Sequence, residues 1–390
     1  MTVKEIDKIC FIGAGTMGCW NSLVAAISGY EVSVYDVAKE SLQHVVANQK
    51  DIGAYLTATG FCTPDELAAS AARITCVEGI VDAVADADLV SESVVEDLSV
   101  KRDLHAELDK LCPPKTILTT NTSGFLVSDI ENVVTRGDRF AALHSHYGSH
   151  LIDIVGGPRT SAATIDILNR YVLSTNNVPL ILKKENRGYV LNALIGPVVS
   201  NAMLLLCEGL ASKQDIDRAW MKHRNAPMGP FGMMDLFGLN VVYDGWQHRP
   251  ADPAIDDLKQ KVLSLLGSLI EKGELGLKTG KGFYNYPNPE FENSDFLDDV
   301  ADASYPHNVL TSALVSNAIL LAANGVSDRT EIDRAWMVGM ILDTGPFTIL
   351  DEIGTDAYLQ LLHSQATFLS PQDTALIEQY LTAIAASVDG

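Results

Sequence analysis

The 390-residue chain predicts an α/β doubly wound domain followed by two all-α helical domains related by internal duplication. Three observations carry this expectation. A glycine-rich turn, Gly13-x-Gly15-x-x-Gly18, lies between a short apolar run and a helical segment. Strand-like and helix-like segments then alternate as far as Val178–Leu182, the pattern of a parallel sheet with crossover helices. Beyond Gly188 the texture changes to long helices, and this half repeats itself without gaps.

Ile9, Phe11 and Ile12 suit a buried strand, and the helix after the glycines is expected over Cys19–Ser28. Gly13 permits the tight turn, Gly15 lets backbone N–H groups approach a pyrophosphate, and Gly18 lets strand and helix pack closely. The helix N-terminus adds a positive dipole end, and Thr16 and Met17 complete the cofactor-binding turn. Glu31–Asp36 reads as a second strand, placing Asp36 18 residues beyond Gly18, where a carboxylate accepts from the ribose hydroxyls. A 2′-phosphate there meets like charge, so the expected cofactor is NAD.

Helices are expected over Ser41–Thr57, Thr63–Ala72 and Ser99–Lys110, the second opened by Thr63-Pro-Asp-Glu66 with its N-cap, early proline and acids. Strands are expected over Ile74–Val77, Leu89–Ser93, Thr116–Thr120, Arg139–His144 and Leu151–Val155. In the second half, Val199-Ser-Asn-Ala202 returns as Val315-Ser-Asn-Ala318, Ile216-Asp-Arg-Ala-Trp-Met221 as Ile332-Asp-Arg-Ala-Trp-Met337, and Gly229-Pro-Phe231 as Gly345-Pro-Phe347. The expected domains are 1–186, 187–285 and 306–390, with 286–305 as a linker. Trp220 and Trp336 are expected to pack the repeats.

A net charge of −22 argues against nucleic acid or an anionic membrane surface as partner, because either requires clustered Lys and Arg. The six cysteines show no Cys-x-x-Cys, which suits reduced thiols in a cytoplasm. The first strand begins too early for a signal peptide. The apolar stretch Val190–Cys207 is broken by Asn192, Gly196, Pro197, Ser200 and Asn201, so it reads as an interior helix.

These features together resemble the 3-hydroxyacyl-CoA dehydrogenase family. The likeness runs through Gly13-Ala-Gly-Thr-Met-Gly18, Glu92-Ser-Val-Val-Glu96 with Lys101, Asn121-Thr-Ser123, Leu143-His144, Asn192, Ala226-Pro-Met-Gly-Pro-Phe231 and Lys278-Thr-Gly-Lys-Gly-Phe-Tyr284. It implies a Rossmann domain, helical domains, and oxidation of an L-3-hydroxyacyl-CoA by NAD. Such a reaction needs a base for the hydroxyl proton, and an imidazole suits neutral pH. His144, ending a strand beside the cofactor crevice, is the candidate. The resemblance assigns Asp153 as its acid partner, Ser123 to the reacting oxygen, Asn192 as a contribution from the helical domain, and Glu96 and Lys101 to the nicotinamide ribose. Without it, Ser123 reads as a capped turn, Asn192 as a helix-start hydrogen bond, and Glu96 with Lys101 as an exposed charge pair.

Two departures keep alternatives open. The residues after His144 are Ser145-His-Tyr-Gly-Ser-His150, and the span to the acid is short. His146 therefore competes as the base, and His144, His146 and His150 have the residue types of a metal site, although no metal is assigned. Secondly, Asp51–Phe61 carries no Lys or Arg where relatives bind CoA phosphates, so a small free 3-hydroxy acid, carnitine-like or sugar-acid-like, is the alternative substrate. A non-catalytic NAD-binding protein is a lesser alternative. The duplication also suggests a monomer with an internal pseudo-dimer, a homodimer through another surface being the other arrangement.

Overall fold

Short apolar runs build the sheet of the first unit: β1 (Lys8–Ile12), β2 (Glu31–Tyr35), β3 (Ile74–Cys76), β4 (Leu89–Glu92), β5 (Ile117–Thr120), β6 (Phe140–Ser145), β7 (Leu151–Gly156) and β8 (Val178–Ile181). In this computed structural model, residues 2–253, 255–298, 304–364 and 368–388 are described. The strands lie in the order β3-β2-β1-β4-β5-β6-β7-β8. Crossovers run through α1 (Thr16–Ile27), α2 (Lys39–Ala58), α3 (Pro64–Ser70), α4 (Ile80–Val84), α5 (Leu98–Leu111), α6 (Val127–Ile130) and α7 (Ala162–Ser174). Every neighbouring pair is parallel except β6 and β7. The connection 146–150 is far shorter than the dozen or so residues a crossover needs, so the chain folds straight back as a hairpin. Trp20, Leu23 and Val24 of α1 join Ile9, Phe11 and Val34 in the core against the sheet.

The second unit is helical: α8 (Leu191–Cys207), α9 (Lys213–Arg224), α10 (Pro230–Phe237), α11 (Leu239–Gln247) and α12 (Asp256–Glu271), then α13 (Ser304–Ala323), α14 (Arg329–Met340), α15 (Pro346–Ile353), α16 (Thr355–Ser364) and α17 (Pro371–Val388). The first unit comprises residues up to Leu191 with Gly325–Glu331 and Val338–Met340, and the rest forms the second, so both helical copies share one unit. Within it Trp220 and Trp336 meet edge to face at 6.1 Å, and Arg224 donates to Thr311 Oγ1 at 2.7 Å. The repeated Ile-Asp-Arg-Ala-Trp-Met and Gly-Pro-Phe motifs are one device. Asp217 accepts from the amides of Phe231 and Gly232 at the start of α10, and Asp333 accepts from those of Phe347 and Thr348 at the start of α15.

The stretch expected as a linker is not loose where it is described. Phe291 and Phe296 are buried, and Arg218 of α9 lies over the Phe296 ring while donating to its carbonyl at 2.6 Å. Residues 299–303 of that stretch lie outside the described residues. Among the described residues no helix is long and apolar enough to cross a membrane.

Candidate active site

The glycine turn is built around an unfilled approach. Gly13 has φ +102°, and a side chain on it would strike the Ser93 carbonyl at 2.4 Å; one on Gly18 would strike the Gly13 carbonyl at 1.7 Å. A Cβ on Gly15 would meet nothing within 4 Å, leaving room for a ligand against the backbone. The helix begins at Thr16, three residues earlier than the expected Cys19, with the extended Gly15 as its N-cap and no side chain capping its first amides. Its first N–H groups therefore point outward beside exposed Thr16, while Met17 packs against the core. Asp36, just past β2, is fixed by the amides of Ala14 (2.7 Å) and Ala38 (2.8 Å). These residues fit a dinucleotide.

The hairpin register sets His144 directly opposite Asp153. Strand neighbours so placed are close enough for the short aspartate side chain to reach the imidazole: His144 Nδ1 and Asp153 Oδ2 are 2.9 Å apart. His146, two residues further and on the same face, also reaches Oδ2, through Nε2 at 2.9 Å. Asp153 is wholly buried and yet held down to about 2: burial acts to raise it, and the two histidines outweigh that. His144 lies below its ordinary value, lowered by burial and then by His146, against the raising effect of Asp153 and Glu96. His150 stacks on Phe61 at 5.3 Å, and the three groups that converge are His144, His146 and Asp153.

The ends of β4, β5 and β6 are tied together. Glu96 accepts from the amides of Ser123 (3.1 Å) and Gly124 (2.9 Å) and from the Thr122 hydroxyl, while Asn121 Oδ1 accepts from the Ser145 amide at 2.8 Å. Ser123 and His144 thus share the carboxyl edge of the sheet, where ligands of such sheets bind. Lys101 lies deeper than the exposed charge pair that is read without the resemblance. It is 1% exposed, with its ammonium 2.7 Å from Glu92 and 3.2 Å from Glu96, so it supports Glu96 from inside and is not part of an exposed charge pair. Asn192 lies in the first turn of α8, in the helical unit.

Two features escaped the sequence reading. Glu92 anchors a buried network with Lys101, His105 (3.3 Å) and Thr120 (2.6 Å), which holds its carboxyl at about 2 despite burial. A charge inside the apolar run Leu89–Glu92 was the available signal. Tyr189, buried, faces His144 with ring centroids 5.2 Å apart; nothing in its local sequence marks it.

Residues 8–185 match the model of the 3-hydroxyacyl-CoA dehydrogenase NAD binding domain, and residues 188–286 and 307–386 match the C-terminal domain of the same family. The chain belongs to the 3-hydroxyacyl-CoA dehydrogenase family. Its cofactor is NAD, and its doubled helical part is the C-terminal domain of that family twice over. Human mitochondrial hydroxyacyl-coenzyme A dehydrogenase is 32% identical over 292 residues, 72% of this chain and 91% of that protein. A solved diketoreductase, described as acting in dual catalysis of dicarbonyl compounds, is 31% identical with a TM-score of 0.67, over 73% of this chain and 100% of that one. The 3-hydroxybutyryl-CoA dehydrogenase from Escherichia coli shares the fold at a TM-score of 0.76 and 22% identity, over 96% of this chain and 99% of that one.

Tyr55 donates to the Gly148 carbonyl at 3.4 Å, and Trp20 packs on Tyr147 (4.9 Å) and Tyr55 (5.9 Å). Aromatic contacts thus close the end of α2 on the loop that follows His144. Lys39 at its start is paired with Glu78 at 2.6 Å.

Proposed function

We propose that this chain oxidises the 3-hydroxyl of an L-3-hydroxyacyl-CoA to the 3-oxo compound with NAD, reversibly. The observation that carries the reading is the His144–Asp153 pair. A buried carboxylate fixed on Nδ1 leaves Nε2 unprotonated and able to take the hydroxyl proton, and it stabilises the imidazolium that results. NAD, when bound, accepts the hydride from the same carbon. Ser123 hydrogen-bonds the reacting oxygen, Asn192 is a further substrate contact, and Glu96 serves the ribose side of the cofactor.

The test is NADH formation with 3-hydroxybutyryl-CoA. His144→Ala is expected to lower kcat by about 10²–10⁴-fold with NAD affinity kept, and His146→Ala by much less. Reversed magnitudes would move the base to His146.

A second reading, a small free 3-hydroxy acid as substrate, is supported by the cation-free stretch Asp51–Phe61 and by the likeness to the diketoreductase. It predicts that kcat/KM for the free acid exceeds that for the CoA thioester in the same assay. The doubled C-terminal domain, packed as one unit, supports a chain that works as a monomer, which light scattering would read as about the chain mass of 42.1 kDa. Six unpaired cysteines are consistent with a reducing cytoplasm.

A further inference from the structure

Asp153 is shared between two imidazoles. Its Oδ2 lies 2.9 Å from both His144 Nδ1 and His146 Nε2, whereas its Oδ1 has no hydrogen-bond partner. An ionised carboxylate only accepts, so both of those nitrogens carry hydrogen. The sharing follows from strand geometry: positions 144 and 146 project to one face, and 153 stands across the hairpin from 144.

We infer that His146 is a positioning residue: its Nε2–H holds Asp153 Oδ2 in place and, by competing for that oxygen, keeps His144 a weaker base than an imidazole with a carboxylate of its own. This rests on the reading of His144 as the base.

The groups facing His144 all bear on the argument. Asp153 comes from β7, and His146 lies just past the end of β6. Glu96, tied to Lys101, comes from the segment between β4 and α5, and the Tyr189 ring lies 5.2 Å away. Burial pushes the Tyr189 phenol far up, so it stays neutral. The negative groups favour a charged His144. His146 opposes this in two ways. Its hydrogen bond draws charge from the oxygen that would stabilise the imidazolium, and its ring lies 4.4 Å from that of His144, so charges on both rings repel. The consequence for catalysis is direct, since the base must be deprotonated before it can accept the hydroxyl proton. Removing His146 gives Oδ2 wholly to His144, raises its proton affinity, and moves the acid limb of the oxidation to higher pH.

The experiment uses the full-length chain with His146→Leu and His146→Gln. The proton affinity of His144 is read by imidazole NMR titration of histidine-labelled protein, and the acid limb by kcat/KM for 3-hydroxybutyryl-CoA at saturating NAD. His146→Leu is expected to raise both by at least about half a pH unit, roughly threefold in proton affinity. His146→Gln, which keeps an N–H at a similar reach, is expected to return them towards the parent. An unmoved His144 titration in His146→Leu overturns the inference, as does a glutamine variant that behaves like leucine. Loss of turnover on dialysis against a chelator, restored by zinc, overturns it in favour of a metal at the same three side chains. The NMR titration does not depend on turnover, so an enzyme that makes no NADH would count against the proposed activity alone.

Discussion

Asp153 and Asp217 are both wholly buried, and both accept hydrogen bonds, two and three respectively, yet their carboxyls move in opposite directions. Asp153 is held down to about 2, whereas burial pushes Asp217 up to about 7. The difference lies in their partners. Asp153 faces two imidazoles, which can take a positive charge. Asp217 faces the amides of Phe231 and Gly232 and the Tyr284 hydroxyl at 2.9 Å, which are neutral. Burial alone therefore does not separate a chemical acid from a structural one. A search for the most perturbed carboxylate would have chosen Asp217, a helix cap, over the acid at the sheet edge.

The sharpest way to break this comparison is to neutralise each acid in turn. Asp153→Asn keeps the shape of the side chain but presents an amide that no longer fixes the His144 tautomer, and kcat is expected to fall by about 10²–10⁴-fold. NAD affinity, measured by fluorescence titration, should stay close to that of the parent. Asp217→Asn should leave kcat per folded molecule within a few-fold. Equal losses in the two variants would show that the two acids do not differ in kind.

Stability supplies the converse test. Asp217→Ala leaves two amides and a phenol without an acceptor inside the helical unit, each orphan costing about 1–3 kcal/mol, so a loss of at least about 3 kcal/mol is expected from urea unfolding. The pH dependence has a definite sign. Because the folded Asp217 carboxyl titrates near 7 and its ordinary value is 3.8, the folded state binds more protons between those values, and this group makes stability fall as pH rises through that window. Asp153, depressed from 3.8 to about 2, does the opposite. Its contribution is complete above about pH 4 and is lost as pH falls through about 2. Between pH 4 and 7 Asp217 adds a falling component to the slope, against a rising one from His144, His223 and His307, whose imidazoles are depressed in the folded state, and Asp217→Asn should remove the falling component. An unchanged slope would mean that the three donors keep Asp217 ionised in spite of burial.

The same contrast explains what could be read in the sequence. Gly13, Gly15, Gly18 and Asp36 were legible because backbone clearance and charge dictate residue type at fixed spacing, and the duplication was legible because it runs without a gap. His144 and Asp153 were legible as a pair only through family resemblance, since residue spacing does not reveal a hairpin register. The antiparallel turn of β6 onto β7 hid in the alternation of strand-like runs. Read without the resemblance, Lys101 looked like half of an exposed pair with Glu96, because a second partner, Glu92 at the end of β4, meets it only when β4 and α5 pack. Phe291 and Phe296 were overlooked in a stretch whose Pro, Asn and acid content signals a linker, although two aromatics close together argue for a packed segment.

The smallest effect is expected where the same cap stands in a wetter place. Asp333 repeats Asp217 at the start of α15, accepting from the amides of Phe347 (2.7 Å) and Thr348 (2.9 Å) and from the Thr348 hydroxyl (2.8 Å). It is only half-buried, so water can replace the carboxylate when it is removed. The segment ending at Tyr284 makes the further difference. In the first copy that tyrosine covers Asp217, and the amides of Phe283 and Tyr284 bind Asp235 at 2.8 Å, which seals the cap from solvent. The linker and α13 follow the first copy in the chain, and no such glycine and aromatic segment follows α15. Asp333→Ala should therefore cost about 0.5–2 kcal/mol, the ordinary value of an N-cap, with no change in kcat and little change in the pH slope of stability. A cost equal to that of Asp217→Ala would mean that the cap motif itself, and not its burial, sets the energy, and the two copies would then be equivalent in the fold.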